Sequence, residues 1–154
     1  MAGRELTVKR VVHAPPKRVW AALTDLDAAP EIMRGVTGVE VLQGAGYAKG
    51  TRWRETRRVF GKEETQTYQV AESRAPRRAL ITSRSAGVDY RKDYTLEKTE
   101  EGTLLTVCFG ASHPDPNLLQ RLTATLFGHV GAAVTTRQLA QDLADVAARA
   151  EQDG

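Results

Sequence analysis

The sequence predicts an α+β fold in which one strand, two short helices, six further strands and one long helix follow each other. Residues 5–13 alternate between apolar and polar side chains as a strand does, and residues 35–111 continue as strand after strand. From residue 116 to residue 151, apolar side chains recur at helical spacing instead. No repeat, low-complexity segment or linker interrupts this pattern, so we expect a single domain over residues 1–154.

Composition and charge are typical of a globular protein in water. Hydrophobic residues make up 41% of the chain and charged residues 27%, and no apolar run reaches the roughly 18 residues that a membrane span needs. The N-terminus lacks the apolar core of a signal peptide, and the one cysteine, Cys108, cannot form an internal disulfide, so we expect a cytoplasmic protein. Arginines cluster at residues 52–58 and 74–78, but interleaved acidic residues favour a solvated surface over a nucleic-acid interface.

Two prolines directly after the first strand mark the start of the first helix. Pro16 suits the first turn of a helix, because proline lacks the N–H group that would be unpaired there in any case. The pattern predicts a helix over residues 16–24 and a second, short helix over residues 28–34. One face of the first helix carries Val19, Trp20 and Leu23.

The long C-terminal helix is predicted from an apolar stripe at helical spacing. Gly128 and Gly131 weaken its middle by roughly 1 kcal/mol each relative to alanine, which indicates either a bend or room left beneath the helix. Asp142 and Asp145 are expected on its solvent-facing side. The stripe comprises Leu119, Leu122, Leu126, Val130, Ala133, Leu139, Leu143, Val146 and Ala150.

A glycine-containing turn sets the expected pairing of the third strand with the fourth. Because glycine is favoured in two-residue hairpin turns, the turn is expected to pair Phe60 with Glu63. Trp53 then lies opposite Val70 on the neighbouring strand.

The strands are consistent with one shared inner face. A second turn is expected to place Ser83 opposite Tyr90, which extends the face of Trp53 to further strands. Because a slip of one residue would exchange the two faces, this agreement supports a single concave sheet. The expected members of the inner face are Trp53, Val59, Tyr68, Val70, Ile81, Val88, Tyr90, Tyr94, Leu96, Leu105, Val107 and Phe109.

Two stretches resemble the START/Bet v 1-like superfamily, also called the SRPBCC group. The first is residues 14–25 (APPKRVWAALTD), and the second is residues 50–57 (GTRWRETR) with residues 60–63 (FGKE), a stretch typical of bacterial members of the polyketide cyclase/dehydrase type. The resemblance extends over residues 4–150 and implies a helix-grip fold, in which a curved antiparallel sheet of seven strands wraps around a long C-terminal helix. It also implies a cavity between the sheet and that helix.

The resemblance implies that the chain binds a small hydrophobic or amphipathic molecule, as a carrier or sensor similar to the lipid-transport members. Two alternatives remain open, since a fold does not determine a function. One is an enzyme of the polyketide cyclase/dehydratase type that uses the same cavity. The other is a module similar to the Hsp90-activator domains, which would bind a protein partner through an exposed apolar patch. We expect no cofactor, no nucleic-acid partner and no membrane span, and either a monomer or a homodimer.

Candidate ligand contacts come from the expected inner face and from the second helix. Aromatic side chains on that face supply rigid apolar surface, and tyrosines add hydroxyl groups. The alternative is that they pack directly against the long helix and leave no space. Met33 is expected either to gate the entrance of the cavity or to belong to the core. The candidates are Met33, Trp53, Glu55, Arg57, Tyr68, Tyr90, Tyr94 and Phe109.

Glu55 and Arg57 are the most specific pair among these candidates. Both share the face of Trp53, because side chains alternate along a strand, and a buried charge needs a partner. Arg57 is expected to bind a ligand oxygen or carboxylate and Glu55 to act as a general base, unless the two form only a polar network at the rim. His129 is the other candidate for proton transfer, unless it is simply packed or half-exposed. The histidines share no metal-ligand spacing, so we expect no metal site.

Overall fold

A computed structural model describes residues 2–59 and 61–152 of the chain. In chain order its elements are β1 (Ala2–Val12), α1 (Pro16–Leu23), α2 (Ala29–Ile32), β2 (Val36–Gln43), β3 (Arg52–Val59), β4 (Lys62–Arg74), β5 (Arg78–Ser85), β6 (Val88–Thr99), β7 (Gly102–His113), α3 (Pro116–Phe127) and α4 (His129–Gln152). Within the described residues, seven strands form one antiparallel sheet in the order β1-β7-β6-β5-β4-β3-β2. The predicted α+β class and the helix-grip order of elements are confirmed.

Helix α1 begins where the two prolines predict. Pro15 has an extended backbone, with φ of −69° and ψ of 154°. Its carbonyl oxygen accepts hydrogen bonds from the N–H groups of Arg18 and Val19, at 3.0 and 3.1 Å. Val19 and Leu23 are buried, as the helical spacing predicts. The sequence therefore determines both where the helix starts and which face it buries.

The concave face of the sheet has the membership that strand alternation predicts. Trp53 is only 2% exposed, so its indole points inward. Most of the expected members are buried, and Val59, Tyr68, Tyr90 and Phe109 are partly buried. Ser83 pairs with Tyr90, which confirms the expected register between β5 and β6.

The register between β3 and β4 differs from the prediction by two residues. Trp53 pairs with Tyr68 rather than with Val70. Gly61 has φ of +79° and takes the second position of the turn rather than the first, because the left-handed conformation is needed there. Phe60, which was expected to pair across this turn, lies outside the described residues. A shift of two leaves every side chain on its own face, so the inner face is unchanged.

The predicted long C-terminal helix is interrupted at Gly128. Helix α3 ends at Phe127, and Gly128 is extended, with φ of −68° and ψ of 173°, before α4 begins. A Cβ atom on Gly131 would collide with the carbonyl oxygen of Thr125, so this glycine allows close approach of the two helices. The break turns the predicted stripe, and Val130 is 73% exposed instead of buried.

Helix α2 is shorter than predicted, because a buried aspartate takes the next backbone donor. The N–H group of Arg34 donates to Asp145 Oδ2 at 3.0 Å, and the Arg34 guanidinium donates to Asp145 Oδ1 at 3.0 Å. Asp145 is buried, and so is Asp142 farther up α4. The expectation that these two aspartates face solvent is wrong, since Asp142 pairs with Arg57 of β3 and Asp145 pairs with Arg34, which lies between α2 and β2.

Aromatic rings form two stacks on the concave side of the sheet. Neighbouring ring centroids are 5.4–6.4 Å apart in the inner stack and 5.6–6.1 Å apart in the outer stack, within the range of favourable aromatic pairs. The inner stack comprises Tyr47, Trp53 and Tyr68, and Trp20 extends it through an edge-to-face contact with Tyr47. The outer stack comprises Tyr90, Phe109 and Phe127. The first joins α1 to the sheet, and the second joins the sheet to α3.

Helix α4 completes the core by burying Leu139, Leu143 and Val146. None of the helices in the described ranges has both the length and the apolar character that crossing a membrane requires.

Candidate ligand-binding cavity

A cavity of about 330 Å³ lies between the concave face of the sheet and helices α3 and α4. Its volume is at the lower end of the range of roughly 300–1,000 Å³ that is usual for small-molecule sites. Strands β3 to β7 supply one wall, and the two C-terminal helices supply the other. Of the predicted ligand contacts, four line this cavity, namely Arg57, Tyr68, Tyr90 and Phe109.

The space exists because a small residue stands between two large ones. Ser83 on β5 pairs with Tyr68 on one side and with Tyr90 on the other. Its short side chain leaves a gap between the inner and the outer ring stacks. Above that gap, α4 presents Gln138 and Asp142 to the cavity, so part of the helical wall is polar.

One end of the cavity is bounded by an ionic cluster, which we define as Glu55, Arg57 and Asp142. Arg57 Nε donates to Glu55 Oε2 at 2.7 Å. Its Nη1 and Nη2 atoms contact the two oxygens of Asp142 at 3.2 and 2.8 Å. Trp53 Nε1 donates to the other Glu55 oxygen at 3.1 Å. The guanidinium is therefore held by two carboxylates, and this geometry fixes its plane.

Glu55 and Arg57 of the ionic cluster stay charged. Burial opposes ionisation of Glu55, but the charges of Arg57 and Lys92 and two hydrogen bonds outweigh it, so its pKa lies below the usual range. Burial likewise opposes the charge on Arg57, but Asp142 and Glu55 raise its pKa well above its usual value. Glu55 is thus a carboxylate locked to an arginine, which weakens the expectation that it acts as a free general base.

Lys92 lies on the floor of the cavity beside this cluster. It pairs with Ile81 on β5 and with Phe109 on β7, and its Nζ atom is 5.5 Å from the ring centroid of Tyr68. Burial and the nearby Arg57 lower the pKa of Lys92, while Glu55 and Asp142 act in the opposite direction. Burial raises the pKa of Tyr68, so its hydroxyl group stays neutral and donates to Gln66 Oε1 at 3.0 Å.

The remaining predicted contacts lie deeper, around a nearly closed recess. Met33, Trp53, Glu55 and Tyr94 surround a space of about 10 Å³, room for one water molecule at most. Met33 is 7% exposed, and its sulfur is 3.9 Å from Arg57 Nη2, so it packs inside the core. Of the two roles considered for Met33, its position favours core packing.

His129 is exposed at the start of α4, and it is not among the described residues that line the cavity. The structure therefore does not bring His129 together with Glu55, the other candidate for proton transfer. Across residues 2–59 and 61–152, no group of histidine, cysteine, aspartate or glutamate side chains has the arrangement of a metal site.

Residues 4–151 match the protein family described as polyketide cyclase / dehydrase and lipid transport. The chain belongs to this family. No curated protein sequence gives a significant match. The match covers both stretches on which the resemblance to the SRPBCC group was based.

Solved structures with the same fold include two aromatase/cyclases and one Bet v 1-like protein. The Zhui aromatase/cyclase from Streptomyces sp. R1128 is 18% identical, with a TM-score of 0.77 over 98% of this chain and 95% of that one. The di-domain aromatase/cyclase StfQ of the steffimycin biosynthetic pathway is 12% identical, with a TM-score of 0.78 over 98% of this chain and 52% of that one. Ara h 8.0201 is 14% identical, with a TM-score of 0.60 over 90% of this chain and 99% of that one. These likenesses concern the fold of the family.

The wall that α4 contributes in this family member was missed from the sequence. Thr135, Leu139 and Asp142 follow one another at helical spacing and all line the cavity. That spacing places Asp142 on the same face as the buried Leu139 and Val146, which was the available signal. The acidic character of Asp142 was interpreted as solvent exposure instead.

Proposed function

We propose that the chain binds one small amphipathic molecule in the cavity and acts as its carrier or sensor. The observation that supports this is the division of the lining. Phe109, Tyr90 and Leu126 offer apolar and aromatic surface, whereas Lys92 and Gln138 offer polar groups. A molecule with an apolar body and a polar end matches both parts.

The apolar part of such a ligand supplies most of the binding free energy. Burial of apolar surface contributes about 25 cal/mol per Å², from which the loss of translational and rotational freedom is subtracted. The polar groups then determine orientation and selectivity. The ionic cluster adds rigidity, because the side chains that hold Arg57 are themselves buried.

Native mass spectrometry of the purified protein tests the proposal through a co-purified small molecule. The matched variants are Ser83→Phe, which fills the gap between Tyr68 and Tyr90, and Thr67→Phe, which adds the same ring to an exposed position of β4. We expect a bound species in the unmodified protein and in Thr67→Phe, and none in Ser83→Phe. Equal retention in both variants would place the bound molecule elsewhere.

The second candidate is an enzyme similar to the polyketide cyclases and dehydratases. The observation that favours it is the presence of Lys92, a group able to donate a proton, at one end of an aromatic cavity. Such a cavity could hold a flexible chain in a reactive conformation. Glu55→Gln tests the part of Glu55 directly: unchanged turnover of an identified substrate would remove it from the mechanism.

A protein-docking function similar to the Hsp90-activator domains has less support. In the described residues, the exposed large hydrophobic side chains are distributed over four elements, β1, β2, α3 and α4. Such a distribution does not favour one apolar docking patch. A specific protein partner that is pulled down equally by the unmodified protein and by Ser83→Phe would support this alternative.

A further inference from the structure

We infer that the ligand carries a carboxylate and that this group pairs with Lys92 on the cavity floor. The inference rests on the proposed function, since it names the polar end of the molecule that the cavity binds. It transfers to Lys92 the role that the sequence suggested for Arg57.

Arg57 is unsuited to this role because its charge is already compensated. All three nitrogen atoms of its guanidinium group contact Glu55 or Asp142, at 2.7–3.2 Å. Within the ionic cluster one guanidinium faces two carboxylates, and Lys92 is the second cation beside them. A ligand carboxylate at Arg57 would have to displace one of them and leave it buried without a partner.

Lys92 differs from Arg57 in its hydrogen bonds: Glu55 and Asp142 favour its charge, but neither carboxylate is bonded to it within the described residues. Its ammonium group has three N–H donors, and among residues 2–59 and 61–152 it lies over the face of the Tyr68 ring, 5.5 Å from the centroid, without a hydrogen-bond acceptor. A cation–π contact of this kind uses no hydrogen-bond acceptor. A partly buried ammonium with unused donors is costly, and a carboxylate in the cavity would supply the acceptors.

The other charged groups of the lining leave Lys92 as the site for an anion. Arg91 donates to Glu5 Oε2 at 3.0 Å, so its charge is paired. Glu64 is exposed, and its charge is therefore screened by water and ions. Phe109 of the outer stack pairs with Lys92 on the neighbouring strand. A ligand with its carboxylate at Lys92 would therefore extend along the ring of Phe109.

Competition between two nearly isosteric compounds tests this inference. The reporter is the neutral dye N-phenyl-1-naphthylamine, whose fluorescence rises in apolar cavities, and the competitors are 1-naphthoate and 1-naphthamide. The amide also offers a carbonyl acceptor but carries no charge. We expect naphthoate to displace the dye at about tenfold lower concentration than naphthamide, because a charged hydrogen bond is stronger than a neutral one.

Lys92→Met should abolish this preference, since methionine retains the apolar stem but not the charge, and each competitor is compared with the dye affinity of the same variant. The matched control is Lys98→Met, an exposed lysine on the same strand, which should keep the preference. Equal displacement by both competitors in the unmodified protein would overturn the inference, and that comparison needs no variant to fold. So would a preference that persists in a folded Lys92→Met.

The proposed function fails by a different result. If the dye does not bind the unmodified protein, or binds Ser83→Phe equally well, the cavity does not take small amphipathic molecules. The carboxylate inference then falls with it. If the dye binds and is lost in Ser83→Phe, the cavity proposal stands whatever the competitors show.

Discussion

Arg57→Met should destabilise the protein strongly, because it leaves two buried carboxylates without their shared cation. Glu55 is 7% exposed and Asp142 is 5% exposed, and each contacts the guanidinium directly. Removal of one partner from a buried ion pair costs about 3–5 kcal/mol of the free energy of unfolding. For a chain of this length, that loss corresponds to a fall in Tm of about 6–20 °C.

Arg54→Met is the matched control, since Arg54 lies on the same strand but on the opposite face. Its ion pair with Glu40 is equally short, at 2.7 Å, but the two side chains are 49% and 64% exposed. An exposed pair contributes about 0–1 kcal/mol. Urea unfolding of both variants at pH 7 compares the two losses. Equal losses would refute the reasoning that burial, rather than distance, determines the cost.

The pH dependence of the two proteins should have opposite signs. In the unmodified protein the pKa of Glu55 is lowered, so its contribution is present above its unfolded pKa and is lost as pH falls through the folded value. In Arg57→Met, we expect burial to outweigh the remaining effects of Lys92 and Trp53 and to raise the pKa of Glu55, so that protonation favours the folded state. The stability difference between the two proteins should therefore shrink as the pH is lowered from about 7 to about 5. A difference that is constant over this range would contradict the assignment.

Two further substitutions test the helices. Gly131→Ala should lower the free energy of unfolding by about 1–3 kcal/mol, because a Cβ there collides with the Thr125 carbonyl oxygen, whereas Gly38→Ala has room and should be nearly neutral in the same urea titration. Asp145→Asn should cost about 1–3 kcal/mol in thermal or urea unfolding, because it weakens charged hydrogen bonds to the backbone and guanidinium of Arg34. A loss in Gly38→Ala equal to that in Gly131→Ala, or an unchanged stability of Asp145→Asn, would contradict these two assignments.

Strand alternation predicted the inner face because alternation is a local property of the chain. Trp53 and Tyr68 are placed on the concave face by the geometry of their own strands, whatever their partners. Their pairing depends on which turn position Gly61 occupies, and one glycine does not decide between the two. The face was therefore predicted correctly while the register was wrong by two residues.

The ionic cluster could be predicted only in part, because its members come from distant parts of the sequence. Glu55 and Arg57 are two residues apart on β3, so their common face follows from alternation. Asp142 is 85 residues from Arg57, and no local pattern pairs the two. Without that partner, an aspartate on an amphipathic helix is expected to face solvent. The break at Gly128 could not be predicted for the same reason. It changes the direction of the helix axis, and its position depends on how α3 and α4 pack against each other and not on the local sequence.

The structure separates two roles that the sequence had assigned to one arginine. Arg57 joins β3 to α4 and contributes its charge to the fold, so evolution or design could alter it only at a large cost in stability. Lys92 forms no such ion pair within the described residues, and it lines the same cavity as Ser83. If the proposed function holds, changes at Ser83 would alter the size of the ligand, and changes at Lys92 would alter its charge. Selectivity could therefore vary while the ionic cluster, and with it the fold, stays intact.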